Sequence, residues 1–293
     1  MRLNHTLTAA AFILAASVPA FAKAPAPAAN DGLDATLWLQ TSVEYKASTR
    51  SVYAGATRQL DALLADKGET AALEQTGDFA AKPPAVILDI DETVLNNSAY
   101  QAWIITHHQH FSGKSWHAFA NDSVSVPIPG ALQFTKAAAA KGITVFYVSN
   151  RSEAVKDGTL RNLKKFGFPM KAGEDVVLLR GGQKDWTGKK GTRRAFIAKN
   201  YRILMLLGDN FGDFVDDMGG DIAGRDAMMA KYDAYWGQRW FTLPNPTYGS
   251  WQSAAVPKGG KEPRRAYFLK ALKPWAGPKP APKVEKTKAK AAQ

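Results

Sequence analysis

The chain has 293 residues, 45% of them hydrophobic, enough for one large α/β domain or a core domain with a small cap. It contains no cysteine, which excludes disulfides, a thiolate zinc site and lipid attachment through a cysteine. Of the net charge of +12, residues 258–293 hold +9 (eleven Lys or Arg against Glu262 and Glu285) and Arg2 holds +1, which leaves +2 for residues 23–257. The basic surplus therefore sits in the tail, and the body carries no charge that calls for an obligatory nucleic-acid partner.

Residues 1–22 join a basic start at Arg2 to an apolar stretch over 7–18 and an Ala20-Phe21-Ala22 cleavage signal. The apolar run is too short for a comfortable membrane span, so it is expected to be a secretory signal removed after Ala22 rather than a retained anchor. That expectation places the mature chain in the periplasm or outside the cell. Residues 23–30 are a Pro/Ala linker. Over 32–66, Leu33, Leu37, Trp38, Val43, Tyr45, Val52, Leu60 and Leu63 recur at helical spacings, giving one or two helices with Gly55 as the candidate break and Lys67-Gly68 as the stop. Trp38 and Tyr45 read as packing residues.

Apolar strands follow at 85–88, 143–148, 175–179, 203–207 and 240–243, with helical stretches between them at 130–141, 153–166 and 193–199. Continuous apolar strands separated by helices predict an α/β fold, a Rossmann-like parallel sheet flanked by helices. The insertion at 97–126, rich in Trp, His and Phe, is longer than one crossover needs. It predicts a small, mostly helical cap, shared with the helices of about 31–66. The domain then spans 31–257, and 258–293 is a basic, largely disordered tail, either solvated or in weak contact with an anionic envelope surface.

Ligands of open α/β sheets bind at the carboxyl ends of the strands. Here those ends read Asp89-Ile90-Asp91-Glu92-Thr93, Ser149-Asn150-Arg151 and Gly208-Asp209-Asn210-Phe211-Gly212-Asp213, with a basic run at 189–194 before the fourth strand. Asp89, Asp91 and Asp209 at adjacent strand ends repel one another unless a cation neutralises them, and a hard, oxygen-loving ion such as Mg2+ suits the set. Such an ion also binds a phosphate oxygen. Ser149 and a lysine would hold the other oxygens, and one carboxylate is left to attack phosphorus in line. Taken singly, the aspartates also read as turn or capping residues, Ser149 as a strand-end hydroxyl and Lys190 as a solvated charge. His107, His108 and His110 have partial zinc spacing, but no further ligand completes a site.

The pattern D-x-D-x-T, then Ser, then Lys, then G-D-x-x-x-D resembles the haloacid dehalogenase (HAD) superfamily. The blocks at 37–47, 87–102, 129–134, 145–151, 206–214 and 243–251 resemble the bacterial class C acid phosphatases, the family of the lipoprotein e(P4) 5'-nucleotidases. The resemblance implies a metal-dependent acid phosphatase that hydrolyses phosphate monoesters, nucleoside 5'-monophosphates among them, through an aspartyl-phosphate. It implies Asp89 as nucleophile, Asp91 as general acid and base, and Thr93 as the residue that keeps the phosphate-binding loop in shape. Ser149 and Lys190 would be phosphate ligands, with Lys189 as the rival one residue away. Asp89, Asp91 (through its backbone carbonyl) and Asp209 would be the metal ligands, with Asp213 behind them. Trp116 and Tyr248 would sandwich the organic part of the substrate, unless they are core aromatics. Family lipoproteins carry a cysteine at the mature N-terminus; its absence here favours a soluble periplasmic protein. A different class of function, an envelope module that binds a nucleotide or cofactor with little turnover, is the alternative.

Overall fold

The computed structural model describes residues 30–275 and 277. The expected signal, most of the linker and the end of the basic tail lie outside these residues.

Two helices open the described chain, α1 (Leu33–Thr41) and α2 (Val43–Ala65). They part at Ser42, not at Gly55, because the Ser42 side chain accepts the Tyr45 backbone N–H at 3.0 Å and caps α2. Strand β1 (Pro84–Leu88) follows, and after it β2 (Leu95–Asn96), α3 (Ser98–Thr106), α4 (Gly113–Asp122) and β3 (Val126–Pro127). Helix α5 (Ala131–Ala140), strand β4 (Thr144–Ser152), helix α6 (Lys156–Phe166), strand β5 (Val177–Arg180), helix α7 (Gly191–Ala198) and strand β6 (Arg202–Gly208) then alternate. The chain continues through α8 (Ile222–Lys231), β7 (Trp240–Thr242), α9 (Ser250–Ala254) and α10 (Arg264–Ala271).

Five strands form a parallel sheet in the order β5-β4-β1-β6-β7. The middle strands bury both faces, which is why they read as unbroken apolar runs. Leu88 is in register with Tyr147 on one side and Leu207 on the other. The residues that follow each of these, including Asp89, Ser149 and Asp209, therefore emerge at one level. From β1 the chain first builds outward through β4 and β5, then returns to the other side through β6. Asp89 stands at that reversal, the place where open α/β sheets open a crevice.

The expected cap is narrower than 31–66 and 97–126 together. Helix α2 packs on α5 and buries Tyr53, Ala56, Leu60 and Leu63 in the main core, so it is a flanking helix of the sheet. Arg202, buried at the start of β6, donates to the carbonyls of Leu63 (3.0 Å) and Leu64 (3.1 Å) and so closes the last turn of α2. The cap is α3 and α4, with α1 packed on α3 and the short antiparallel β2–β3 pair closing its base. It rests on the core where α4 meets α6. A Cβ on Gly158 would lie 2.6 Å from the Ala120 carbonyl oxygen, so glycine is what lets the helices approach. Part of the tail is also ordered: α10 begins at Arg264, with Arg265 Nε 2.8 Å from Asp31 Oδ2 and Lys270 Nζ 2.6 Å from Glu262. Among the described residues no helix is long and apolar enough to cross a membrane.

Candidate active site

A cavity of about 490 Å³ opens at the carboxyl end of the sheet. Its floor is Asp89, Asp91, Lys190, Asp209 and Asp213; Tyr100, Phe111 and Trp116 come from the cap side, and Tyr248, Gln252 and Arg264 from the C-terminal segment. Asp89 continues β1, its N–H donating to the Leu207 carbonyl at 2.9 Å. Burial raises its carboxyl above the usual carboxylate range; Lys190 pulls it down, while Asp213 and Asp91 push it further up.

Lys190 is buried, and its Nζ reaches Asp89 Oδ1, Asp213 Oδ1 at 2.6 Å and the Val148 carbonyl at 2.7 Å. Lys189 is exposed, so the structure brings Lys190 to the site and leaves its neighbour in solvent. Arg193, wholly buried, donates to the carbonyls of Ser149 (2.5 Å) and Thr187 (2.8 Å) and thereby ties the lysine loop to the end of β4.

Carboxylate oxygens of Asp89, Asp209 and Asp213 all lie within 4.8 Å of one another, a group able to hold a metal ion. Asp213 arrives there because Gly208 leaves room: a Cβ on Gly208 would sit 2.2 Å from Asp213 Oδ2. Asp213 Oδ2 accepts the Asn210 N–H at 2.9 Å, and the Asn210 side chain in return caps the turn by accepting the Gly212 N–H. Asp209 accepts Asn245 Nδ2 at 2.8 Å and, among the described residues, pairs with no Lys or Arg. Burial, then the charges of Asp213 and Asp89, drive its carboxyl well above the ordinary value. A carboxylate pair with one lysine and a third carboxylate without a cation is a donor set that fits a hard divalent ion.

The side chain of Asp91 does not join that group. Its Oδ1 accepts from Asn97 Nδ2 at 2.7 Å and Arg151 Nε at 2.9 Å, and Arg151 Nη2 lies 2.8 Å away in an ion pair. Its Oδ2 has only Ser149 Oγ, at 3.3 Å, among the described residues. Asp213 takes the place in the carboxylate group.

The chain belongs to the HAD superfamily, subfamily IIIB, the acid phosphatases. The model of that family matches residues 7–251. The class C acid phosphatase from Bacillus anthracis is 31% identical, covers 83% of this chain and 97% of its own, and superposes with a TM-score of 0.72; its tungstate-bound structure gives 0.73 at the same identity and coverage. Acid phosphatase 1 of Solanum lycopersicum is 25% identical over 198 residues, 66% of this chain and 69% of that protein. The chain is accordingly a phosphoric monoester hydrolase.

Within this phosphatase, the remaining residues singled out in the sequence divide by exposure. Trp116 and Tyr248 both line the cavity. Thr93 is wholly buried; its carbonyl accepts Tyr53 Oη at 2.7 Å, and its hydroxyl lies 3.5 Å from Asp209, so it shapes the loop rather than the cavity wall. Ser149 is also fully buried, against Asp91. Trp38 packs on Tyr45 with ring centroids 5.3 Å apart. His107, His108 and His110 are exposed and, among the described residues, join no metal-binding group.

Sequence reasoning assigned no role to Arg151, Asn97 or Glu92. Arg151 is buried, pairs with Asp91, donates to Asn97 Oδ1 (3.2 Å) and Thr159 Oγ1 (3.1 Å), and lies 5.5 Å from the Trp116 ring. Glu92, with φ of 53°, accepts Asn97 N at 2.7 Å and the Tyr248 hydroxyl. Burial and the charge of Asp91 push Glu92 up to about 8, against the opposing pull of its bonds from Asn97. Asn97 lies eight residues beyond Asp89 in the same block, the signal that was available; Arg151 directly follows Ser149-Asn150.

Proposed function

We propose that this phosphatase is an exported, magnesium-dependent enzyme that hydrolyses phosphate monoesters, nucleoside 5'-monophosphates among them, with Asp89 as nucleophile. One observation carries the reading: Asp89 lies on the floor of an aromatic-walled cavity, bonded to Lys190 and within 4.8 Å of two further carboxylates. The Bacillus anthracis relative binds tungstate, a tetrahedral oxyanion like phosphate, which supports phosphate binding by this chain.

The Asp89 carboxylate attacks phosphorus in line while the bond from phosphorus to the leaving oxygen breaks. Asp91 donates a proton to that oxygen, then takes one from the water that attacks the aspartyl-phosphate, releasing inorganic phosphate and restoring Asp89. The asymmetry of Asp91 suits this exchange. Oδ1 is saturated by donors, so Oδ2 is the oxygen that carries the proton. Lys190 offers its positive charge to the phosphoryl oxygens and keeps Asp89 aimed. Asp89, Asp209 and Asp213, with the backbone carbonyl of Asp91 that the family resemblance implies, would hold magnesium. When bound, the ion neutralises the carboxylates and polarises the phosphoryl group. Trp116 and Tyr248 offer flat faces to a base, which favours breadth of substrate over selectivity. The basic, apolar start of the chain supports export.

The test is phosphate release from adenosine 5'-monophosphate, with EDTA or with magnesium, by wild type and Asp89→Asn. Release that needs magnesium and vanishes in a folded Asp89→Asn protein is expected. Activity in EDTA removes the metal requirement, and an active Asp89→Asn protein removes the nucleophile.

A further inference from the structure

Three cations line the active-site cavity among the described residues: Arg151, Lys190 and Arg264. Two are already matched, Arg151 by Asp91 and Lys190 by Asp89 and Asp213. Arg264 is different. Among the described residues it pairs with no carboxylate, and its guanidinium carbon lies 5.5 Å from the ring centroid of Phe268, one turn along α10. It also comes from outside the matched family region, which ends at residue 251. Arg265, the next residue of α10, pairs with Asp31 just ahead of α1 in an exposed contact. Helix α1 in turn packs on α3, the cap helix that gives Tyr100, Gln101 and Ile104 to the cavity.

An uncommitted guanidinium in a substrate cavity is a ready partner for an anion. Its planar fork matches phosphate and carboxylate oxygens two at a time. The reacting phosphate is claimed by Asp89 and Lys190 on the floor. The cavity, at about 490 Å³, has the size of sites that hold small organic ligands, so a substrate extends well beyond its reacting phosphate.

Building on the phosphatase reading above, we propose that Arg264 is a specificity residue that binds a second anionic group of the substrate. The favoured class is then phosphate monoesters that carry a second phosphate away from the one being cleaved, such as nucleoside bisphosphates. The contact is made equally in ground and transition states, so it acts chiefly on KM.

The experiment compares kcat/KM for adenosine 3',5'-bisphosphate and adenosine 5'-monophosphate in saturating magnesium, in wild type, Arg264→Ala, Arg264→Lys and Arg264→Glu. The ratio of bisphosphate to monophosphate is expected to fall roughly tenfold in Arg264→Ala, the scale of one charge-assisted hydrogen bond near the surface. It should recover in part in Arg264→Lys and fall further in Arg264→Glu, with KM carrying the change. A ratio that stays constant across the four proteins overturns the proposal, as does an equal loss on both substrates. If wild type cleaves neither nucleotide nor p-nitrophenyl phosphate, the catalytic reading has failed instead. Calorimetric binding of adenosine 3',5'-bisphosphate to wild type and Arg264→Ala then decides the contact: weaker binding to the variant supports it, and equal binding overturns it.

Discussion

Replacing Arg151 separates the two tasks that the Asp91 carboxylate performs, being held and exchanging a proton. The wild-type side chain places two nitrogens on Asp91 Oδ1, at 2.8 and 2.9 Å, and is itself buried. In Arg151→Met the hydrogen bond and the ion pair to Asp91 disappear, together with the bonds to Asn97 and Thr159. Removing one partner of a buried pair costs about 3–5 kcal/mol. Asp91 keeps the Asn97 bond at 2.7 Å, and its side chain is 18% exposed, so water can solvate what is lost. The lower end, about 3 kcal/mol, is therefore expected in urea unfolding. Arg151→Lys keeps the charge and loses the fork, and should recover only part of that stability. The catalytic effect should depend on the leaving group. General acid catalysis contributes about 10²–10⁴-fold where the leaving oxygen needs a proton, and little where it leaves readily as an anion. Measured in a temperature range where the variants are folded, kcat should fall about a hundredfold or more for an alkyl phosphate and much less for p-nitrophenyl phosphate. Equal losses on the two substrates would refute the reasoning, because Arg151 would then act on the nucleophile or on the fold and not through Asp91.

Two further outcomes follow from the geometry. Gly208→Ala puts a methyl group 2.2 Å from Asp213 Oδ2, so Asp213 or the end of β6 must move. Activity should drop about a hundredfold, the scale of a 1 Å displacement at a reacting centre, with stability lowered by about 1–3 kcal/mol; an unchanged kcat contradicts the packing described. The second concerns pH. Burial holds Glu92 up to about 8 and raises Asp89 and Asp209, whereas free carboxyls titrate near 4. Between those limits the folded chain binds more protons than the unfolded one, so stability falls as pH rises. The melting temperature of the metal-free protein should decline from about pH 5 to about pH 8, and Glu92→Gln should flatten the slope. A melting temperature that rises over this range, or a slope the variant leaves unchanged, would show that these carboxyls are not protonated in the folded state.

Much of this protein can be read from the chain alone, because the relevant signals are local. Strand β1 ends in four consecutive buried apolar residues, Ala85 to Leu88, followed by Asp89, and strands buried on both faces must look like that. Asp89, Asp91 and Asp209 follow the carboxyl ends of β1 and β6, Ser149 lies near the end of β4, and Lys190 sits in the loop between β5 and α7, so the parallel sheet brings them to one edge. Pairings across the chain are another matter. Arg151 meets Asp91 across a sequence separation of 60, and their contact depends on the β1–β4 register and on side-chain directions no spacing encodes. Asp213 joins the carboxylate group because a glycine at 208 admits it, a steric fact invisible until the turn is folded. Helix α2 is equally helical whether it roofs the site or flanks the sheet; the partner of its Tyr53 and Leu60 face, not its periodicity, decides which. Local patterning thus reveals the strands of the sheet, most of the helices that flank them and the chemical groups at the strand ends. Tertiary structure decided which oxygen faces which donor, because hydrogen bonds and ion pairs depend on ångström-scale placement, whereas burial patterns depend only on which face of an element is apolar.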